Sequence, residues 1–589
     1  MRKRWYVLLS LVLVFSLTLV GCGSKPSSSP ATENNAQQGD GGTDSTTPES
    51  SDQPETGYIK AKQPELVPEA AKKRTDTIVI GMDSPKGVFN PWFYKTAYDG
   101  YVVDMIFEGL GKVGKDGLVE PDLATWEMKN DNKTFIFHLD PNAKFSDGTP
   151  VTAEDAAFSF YIFLDPSYDG LTDMSIAKIV GADAYKNGNA TTIEGIKVLD
   201  EHTLQVDVEE VNALTIRYLT VPVLPKHYYG KEFKKGDLSG VKKLNEQPLG
   251  SGPYVFEKFV PSQEVRLKAN ENYWRGNPPK VQNLIVKATN DETKLQMLQT
   301  GETDFEEGIS VNRDNLDQID AMGFLDRNML LNNGYGYIAL NHAHEPLNDR
   351  LVRQALMYGL NREEVVYAYS QGLAEVIDVP ISKVSWAYPD EKDIIHYNYD
   401  PEKAKQLLDE AGWKLGNDGY RYKDGKKLTL HFTASSPNPV NDALVPIAKE
   451  NYKDLGIDFI AEQLDFNAMV QKMEKGDYDM AFLAVSLTPD PDPSQHFHSN
   501  GADAKQVFHY SNPEVDKLIE AGIKELDQAK RKEIYQQLFK LLNEDVPYIV
   551  MYQRYNMNVI SSRLKGFEGE ITPFYNFVNA LPNVEIVQY

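Results

Sequence analysis

Two kinds of short apolar segment alternate along most of the chain. Some are continuous and rich in β-branched and aromatic residues, as in 77–81 and 478–485, and they predict buried strands. Others place apolar residues three and four positions apart, as in 351–360, and they predict amphipathic helices. After about residue 330 the two kinds alternate regularly, which favours a parallel or mixed α/β lobe.

Turn and cap residues mark the limits of several elements. The turn at 129–132 precedes a strand at 133–139, which predicts the second arm of a hairpin. Thr152 is a predicted N-cap, and Pro401 stands in the first turn of another predicted helix. The remaining predicted strands are 193–198, 203–208, 254–260, 264–269, 337–341, 428–432 and 458–463, and the remaining predicted helices begin after Asn361 or span 443–454 and 466–475.

The first 74 residues follow a different pattern. A basic start, Arg2 to Arg4, precedes an apolar run at 5–20 that is short for a membrane span, which predicts a secretory signal at 1–21. Residues 22–74 are rich in Ser, Thr, Pro and Gly and cannot bury a core, so they predict a disordered tether. A flexible chain of this length reaches about 40 Å.

Cys22 is the only cysteine of the chain, which excludes an intramolecular disulfide. The residues Leu19-Val20-Gly21-Cys22 resemble the lipobox of bacterial lipoproteins. That resemblance implies cleavage before Cys22 and a lipid on its thiol, with the membrane reached through this anchor only. An ordinary signal with a chance cysteine remains the alternative.

Composition and charge narrow the function classes. The net charge of −25 disfavours binding to nucleic acid or to anionic headgroups. The body after residue 74 is too long for one core and predicts two or three domains. No second apolar run is long enough to span a membrane.

Seven segments carry a family resemblance. They lie in family order at 121–127, 144–160 (KFSDGTPVTAEDAAFSF), 248–259 (PLGSGPYVFEKF), 270–279, 298–305, 340–366 and 399–413 (YDPEKAKQLLDEAGW). Together they resemble the oligopeptide- and dipeptide-binding proteins of peptide-type ABC importers, the extracellular solute-binding proteins of family 5.

The resemblance implies an α/β, two-lobed fold like that of periplasmic binding proteins (type II, the large cluster with an inserted subdomain), with mixed sheets and a hinge. The limits expected here are lobe I at 75–330 with a subdomain at about 120–245, lobe II at 331–555, and a return to lobe I at 556–589. Most matched motif residues are expected to be structural, and Arg353 to tie its helix to a neighbouring carboxylate or carbonyl.

The resemblance also implies a function. The chain is expected to capture oligopeptides between its lobes and deliver them to an ABC permease with cytoplasmic ATPases. It is expected to be a monomer on the extracellular face of the cell membrane, and the long tether favours a Gram-positive one. The alternatives are another solute, namely an oligosaccharide, dipeptide or nickel complex, and a receptor for a signalling peptide.

Three loops are the candidate ligand contacts. They supply Phe89, Asn90, Trp92, Trp386, Tyr388, Ser486, Thr488, Asp490 and Asp492. In the family, an Asp of the last loop holds the peptide's α-ammonium, and the resemblance puts Pro489 at that position. Asp490 is then a possible replacement, or both Asp490 and Asp492 merely hold an extended turn before proline. The aromatic residues are alternatively core residues.

Other chemistry has little support. The pairs His342/His344 and His496/His498 lack further ligands at a recognisable metal spacing, so no metal site and no cofactor are expected. No nucleophile elbow, HExxH sequence or phosphate loop is present, so no catalytic residue is expected. A tethered hydrolase of cell-wall peptides is the enzyme alternative.

Overall fold

The computed structural model describes residues 54–276 and 278–589. The predicted signal peptide, Cys22 and the first part of the tether, 22–53, lie outside these residues. The strands, in chain order, are β1 (Gly57–Ile59), β2 (Thr77–Met82), β3 (Gly111–Val113), β4 (Val119–Pro121), β5 (Ala124–Lys129), β6 (Thr134–Leu139), β7 (Ile196–Asp200), β8 (Thr203–Asp207), β9 (Tyr254–Val260), β10 (Glu264–Ala269), β11 (Asn283–Ala288), β12 (Phe305–Glu306), β13 (Leu325–Leu331), β14 (Gly334–Leu340), β15 (Ala374–Val376), β16 (Lys414–Leu415), β17 (Arg421–Lys423), β18 (Lys426–Lys427), β19 (Thr429–Ser435), β20 (Asp458–Leu464), β21 (Met480–Ser486), β22 (Ile549–Ser561), β23 (Leu564–Lys565) and β24 (Glu585–Ile586).

Helices alternate with these strands. In chain order they are α1 (Glu69–Lys72), α2 (Ala97–Ile106), α3 (Ala153–Phe163), α4 (Ala182–Lys186), α5 (Thr215–Leu219), α6 (Lys226–Tyr229), α7 (Ser239–Lys242), α8 (Lys294–Thr300), α9 (Arg313–Met322), α10 (Arg350–Gly359), α11 (Arg362–Ser370), α12 (Pro401–Glu410), α13 (Pro439–Asp454), α14 (Phe466–Glu474), α15 (Ser494–Phe497), α16 (Pro513–Lys524) and α17 (Gln528–Asp545). Short 3₁₀ or π segments lie at Pro64–Leu66, Met174–Ala177, Glu391–Asp393, Ala504–Phe508 and Phe577–Asn583.

Two large apolar cores lie at opposite ends of one long mixed sheet, whose strand order is β20-β19-β21-β14-β22-β12-β2-β11-β10-β9. One core is formed by residues 78–286 with Phe305 and 560–584, and we call this part lobe I. The other is formed by residues 335–552, and we call it lobe II. The two-lobed mixed α/β fold expected from the sequence is therefore confirmed, while the exact lobe limits stay a prediction.

Strand β22 connects the lobes. Its beginning pairs with β14 in lobe II, whereas its end pairs with β13 and β12. Strands β13 and β14 are separated only by Asn332 and Asn333, so the chain crosses between the lobes there and again near Gln553 and Arg554. Two neighbouring crossings of extended chain are the arrangement in which a hinge motion needs few dihedral changes.

A separate antiparallel sheet, in the order β5-β6-β8-β7, forms a subdomain of lobe I. The predicted hairpin is the β5–β6 pair, with Lys129 opposite Thr134. Helix α3 packs on this sheet and begins as predicted at Thr152, whose side chain accepts a hydrogen bond from the backbone of Asp155.

The predicted tether extends too far into the chain. Strand β1 pairs with β13, and the Tyr58 hydroxyl donates to Asp326 at 2.8 Å. Arg74 and Arg563 both donate to the fully buried carboxylate of Asp304, at 2.7 and 2.6 Å. Residues 57–74 are therefore part of the folded body. The sequence did not indicate this, because polar composition gives no sign of contacts to strands about 270 residues away.

Candidate functional site

The two lobes touch at two places beside the loop that follows β21. The backbone N–H of Ala213, just before α5, donates to the carbonyl of Ile523 in α16 at 2.8 Å. In the turn between β3 and β4, Gly117 has φ +82° and lies so close that an added β-carbon would be 3.4 Å from that of Pro489. We call the region between the two lobes beside these contacts the interlobe cleft.

Asp490 in this loop forms a bidentate ion pair with Arg531 of α17. The two guanidinium nitrogens donate to its two oxygens at 2.5 and 2.8 Å, and the side chain of Arg531 is 4% exposed. The pairing raises the pKa of Arg531 further above its ordinary value, although burial alone would lower it. Because the guanidinium neutralises this carboxylate, Asp490 is not available as a free anchor for an ammonium group.

Asp492 holds the turn. Its Oδ1 accepts from the backbone N–H and the hydroxyl of Ser494, at 3.1 and 2.5 Å, while its own N–H donates to Asp490 Oδ1. Burial raises the pKa of Asp492. Of the two interpretations left open for this loop, the contacts favour the one in which both acids shape the turn.

The other candidate residues in lobe II are Trp386, Tyr388, Ser486 and Thr488. The half-buried ring of Trp386 stacks on Tyr535 at 6.0 Å, and its indole N–H has no acceptor among the described residues. Tyr388 donates to Glu391 and lines a lobe II cavity of about 380 Å³. Ser486 and Thr488 are exposed at and beyond the end of β21.

Phe89, Asn90 and Trp92 are core residues, so the expectation that they line the cleft is wrong for this structure. Phe89 is fully buried against Phe256 and Phe259 of β9. Trp92 is 5% exposed and packs on Phe163, and Asn90 is fully buried between them in the chain. Their loop is held within lobe I because these rings find partners in distant strands and helices.

A group of tyrosines that the sequence analysis did not name lies on α2 and just before it. Tyr98 and Tyr101 are three positions apart on one face, and they donate to Asp83 at 3.0 Å and to Glu307 at 3.2 Å. Tyr94, just before the helix, packs against another face of α2, since an added β-carbon at Gly100 would lie 3.0 Å from its ring. The spacing of tyrosines at 94, 98 and 101 was the available signal.

Two carboxylates near these tyrosines are accessible to solvent yet surrounded by protein. Asp104 has an exposed side chain, but burial raises its pKa to about 6. Glu307 is half-buried, and burial raises its pKa in the same direction. Both carboxylates are therefore reached by solvent and at the same time crowded by neighbouring protein atoms.

Arg217 and Tyr218 of α5 form the part of lobe I that faces Asp490. Both side chains are half-buried, and both are within electrostatic reach of that carboxylate. Burial lowers the pKa of Arg217 and raises that of Tyr218. The cleft therefore combines aromatic rings, hydroxyls and charged groups from both lobes.

The imidazoles of the two histidine pairs contact groups within the folded chain. His342 contacts the carbonyl of Pro547 at 2.7 Å, and burial lowers its pKa to about 4. His344, His496 and His498 each lie beside a different carboxylate. Within residues 54–276 and 278–589, no three His, Cys, Asp or Glu side chains are grouped as metal ligands, and no helix there is long and apolar enough to cross a bilayer.

Comparison with known proteins gives a consistent set of relatives. Residues 119–506 match the model described as bacterial extracellular solute-binding proteins, family 5 Middle. The chain is 26% identical over 574 residues to the oligopeptide-binding protein AppA of Bacillus subtilis (strain 168), covering 96% of each chain. It is 27% identical over 530 residues to di/tripeptide-binding protein 1 of Pseudomonas aeruginosa (strain UCBPP-PA14), covering 84% of this chain and 92% of the relative.

Solved structures agree with these sequence relatives. The structure of AppA from Bacillus subtilis in complex with a nonapeptide has a TM-score of 0.64 at 25% identity, covering 87% of this chain and 99% of that one. NikZ from Campylobacter jejuni in complex with Ni(L-His) has a TM-score of 0.62 at 25% identity, covering 84% and 96%. The same architecture thus holds solutes of different chemistry.

Proposed function

This chain belongs to the bacterial extracellular solute-binding proteins of family 5, and on that premise we propose that it captures oligopeptides in the interlobe cleft, without altering them, for uptake by an ABC transporter. The relatives that span nearly the whole chain are named for peptide binding, which supports this choice of solute.

The single observation that carries the proposal is an open strand edge at the cleft. Strand β21 pairs with β14 along its whole length, from Met480 to Ser486. On its other side, pairing with β19 reaches only Met480 and Ala481 among the described residues. The rest of that edge presents backbone N–H and C=O groups beside the loop of Asp490, where an extended peptide can add as a strand.

Recognition through an edge of this kind suits a binder of many sequences. All peptides carry the same backbone, so strand addition supplies affinity without selecting side chains. The neighbouring rings of Trp386, Tyr98 and Tyr101 then form roomy walls in which water adapts to each side chain. Because Asp490 is already paired with Arg531, the peptide's N-terminus needs no fixed position, which favours long or internal peptide segments.

The remaining parts of the proposal concern location and partners. A lipid on Cys22 and a tether that ends near residue 56 would hold the body at the extracellular face of the cell membrane. Lobes that close on the peptide would then present it to a permease with cytoplasmic ATPases. The body acts as a monomer in this scheme, since both walls of the cleft come from one chain.

Native mass spectrometry of the purified protein tests the proposal. Binders of this kind retain ligand, so we expect adducts that form a ladder of peptide masses and dissociate on partial unfolding. Incubation of the eluted peptides with fresh protein should return them uncleaved, which separates binding from hydrolysis. A hexose series, a nickel adduct, or peptide fragments that accumulate with time would overturn the proposal.

A further inference from the structure

The side-chain amide of Gln553 lies where the chain crosses between the lobes. Gln553 is a residue of β22 and is fully buried. Its amide nitrogen donates to the carbonyl of Asn332 and to the hydroxyl of Ser382, both at 2.6 Å, and its amide oxygen accepts from the backbone N–H of Lys383 at 3.0 Å. One side chain therefore connects the second crossing to the first, and both crossings to the loop that carries Trp386.

Asn333 makes a similar connection to the other candidate ligand loop of lobe II. Its side-chain nitrogen donates to the carbonyls of Leu487 and Thr488, both at 3.0 Å, while its own carbonyl accepts from the backbone N–H of Leu487 at 2.8 Å. These two residues lead directly into the turn of Asp490, which Arg531 holds. Each of the two candidate loops in lobe II is thus bound to a crossing by a side-chain amide.

The hydrogen bonds of these two amides depend on the angle between the lobes. Residues 332–333 are the passage from β13 to β14, so rotation of one lobe against the other changes backbone dihedrals there. Such a change turns the Asn332 carbonyl and moves the Asn333 side chain, and a hydrogen bond weakens steeply as its angle departs from linearity. The bonds are satisfied in this structure, in which the lobes touch beside the loop of Asp490, and we call this the closed state.

Burial makes the bonds of Gln553 more consequential. Gln553 and Ser382 are both fully buried, so water does not replace a partner that moves away. An unsatisfied buried amide costs more free energy than an average hydrogen bond contributes. The closed state therefore gains stability that a rotated hinge loses.

We propose that Gln553 and Asn333 are positioning residues that couple peptide capture to closure of the lobes. A peptide that contacts either loop stabilises the bonds between that loop and the crossing, and the same bonds stabilise the closed state. The inference rests on the proposed peptide-binding function. Removal of either amide should leave the open cleft able to receive peptide but shorten the time for which the lobes stay closed.

Stopped-flow fluorescence with a labelled pool of random nonapeptides measures both steps on the purified full chain, stripped of ligand by reversible unfolding. Gln553→Met keeps the side chain's size and removes its three hydrogen bonds, and Asn333→Ala removes two at a half-buried position. Each should raise the mean dissociation rate constant about tenfold, as for about 1.4 kcal/mol of lost hydrogen bonding. Each should change the association rate constant less than about twofold, because peptide enters the open state.

Gln354→Met is the matched control. Gln354 is a half-buried glutamine of α10 whose amide nitrogen donates to the carbonyl of Glu544 at 2.7 Å, within lobe II. This variant should keep both rate constants of the wild type. Urea denaturation identifies which variants are folded under the assay conditions. A merely structural loss that distorts a ligand loop would slow association, whereas loss of coupling accelerates dissociation alone.

The outcomes separate this inference from the function beneath it. Dissociation at the wild-type rate from a folded Gln553→Met or Asn333→Ala variant, or slower association in both, overturns the coupling and leaves peptide binding intact. Failure of the wild type to bind the pool overturns the proposed function and the coupling with it.

Discussion

At the scale of single residues, the Asp490–Arg531 pair determines what the cleft can recognise. The 4% exposed guanidinium holds both oxygens of Asp490 and lies over the rings of Tyr535 and Trp386, at 4.9 and 5.5 Å. A buried ion pair adds little net stability, but removal of one member leaves the other charge buried without a partner. The stability of the loop after β21 therefore depends on this ion pair whether or not a ligand is bound.

Replacement of Asp490 by Asn should lower the free energy of unfolding by about 3 kcal/mol, because Arg531 then keeps its charge without a counter-ion. Urea denaturation of the ligand-free protein measures the change. Asp390→Asn is the matched control, since that acid is 66% exposed in its pair with Lys392 and should change stability by less than about 0.5 kcal/mol. Equal stabilities of wild type and Asp490→Asn would show that Asp490 is no structural residue and return it to the candidates for ammonium binding.

The buried carboxyl group of Glu306 should make the free energy of unfolding depend on pH. Burial raises its pKa from the ordinary 4.5 to about 7, and the side chain is fully buried with Oε1 lacking a partner among the described residues. Between these two values the folded state holds a proton that the unfolded state has lost, so the free energy of unfolding falls as pH rises from about 4.5 to 7. The loss should approach about 3 kcal/mol at 1.36 kcal/mol per pH unit.

The corresponding experiment compares urea denaturation at pH 5 and pH 8 in wild type and Glu306→Gln. Other groups titrate equally in both proteins, so the wild type should lose about 2.5 kcal/mol more than the variant over this interval. Glu302→Gln, at an exposed neighbouring position, should follow the wild type. Parallel pH profiles of wild type and Glu306→Gln would show that Glu306 is ionised in the folded protein at neutral pH.

Residue roles were predictable where a residue stands in a matched motif, but not where they depend on contacts that no motif marks. Arg353 was expected to connect its helix to a neighbouring carboxylate or carbonyl, and its guanidinium donates to Asp545 at 2.8 Å. The burial of Phe89 depends on rings about 170 residues further along the chain. The neutralisation of Asp490 likewise depends on an arginine 41 residues away, and no local pattern marks either contact.

At the scale of elements, capping explains where helices begin better than apolar spacing does. Helix α13 begins at Pro439, capped by Asn438, four residues before the predicted start at 443. Pro446 lies inside the helix, within the span that the sequence predicted, whereas the first turn at 439–442 precedes that span. Strands β9 and β10 match their predicted limits, since a hairpin with period-two alternation is defined by local residues alone.

The capping box of α3 predicts an effect at the same scale. Thr152 Oγ1 accepts from the backbone of Asp155, and the Asp155 carboxylate accepts in turn from the backbone of Thr152 at 2.9 Å. Thr152→Ala should lower the free energy of unfolding by about 1 kcal/mol, whereas Thr152→Ser should stay within a few tenths of the wild type. Thermal or urea denaturation measures both, and equal losses in the two variants would contradict the cap as the cause.

At the scale of the whole molecule, one continuous sheet serves two cores. Strand β22 and the β13–β14 passage are the crossings between them, and the contacts of Gly117 with Pro489 and of Ala213 with Ile523 lie away from these crossings. Such an arrangement favours rotation of one lobe about the crossings while the far contacts open. The motif order along the chain was sufficient to predict two lobes, but the positions at which they touch depend on three-dimensional packing.

A disulfide across the Gly117–Pro489 contact tests this motion. The β-carbons would lie 3.4 Å apart, near the 3.5–4.5 Å typical of disulfides, although Cys at φ +82° costs about 1 kcal/mol. In Cys22→Ala protein carrying Gly117→Cys and Pro489→Cys, oxidation should slow the release of a bound labelled nonapeptide about tenfold or more, and reduction should restore it. Each single cysteine variant should release the peptide equally fast under both conditions. If the oxidised and the reduced double variant release the peptide at the same rate, the peptide leaves without separation of the lobes at this contact. Hinge opening would then not be the route into the cleft.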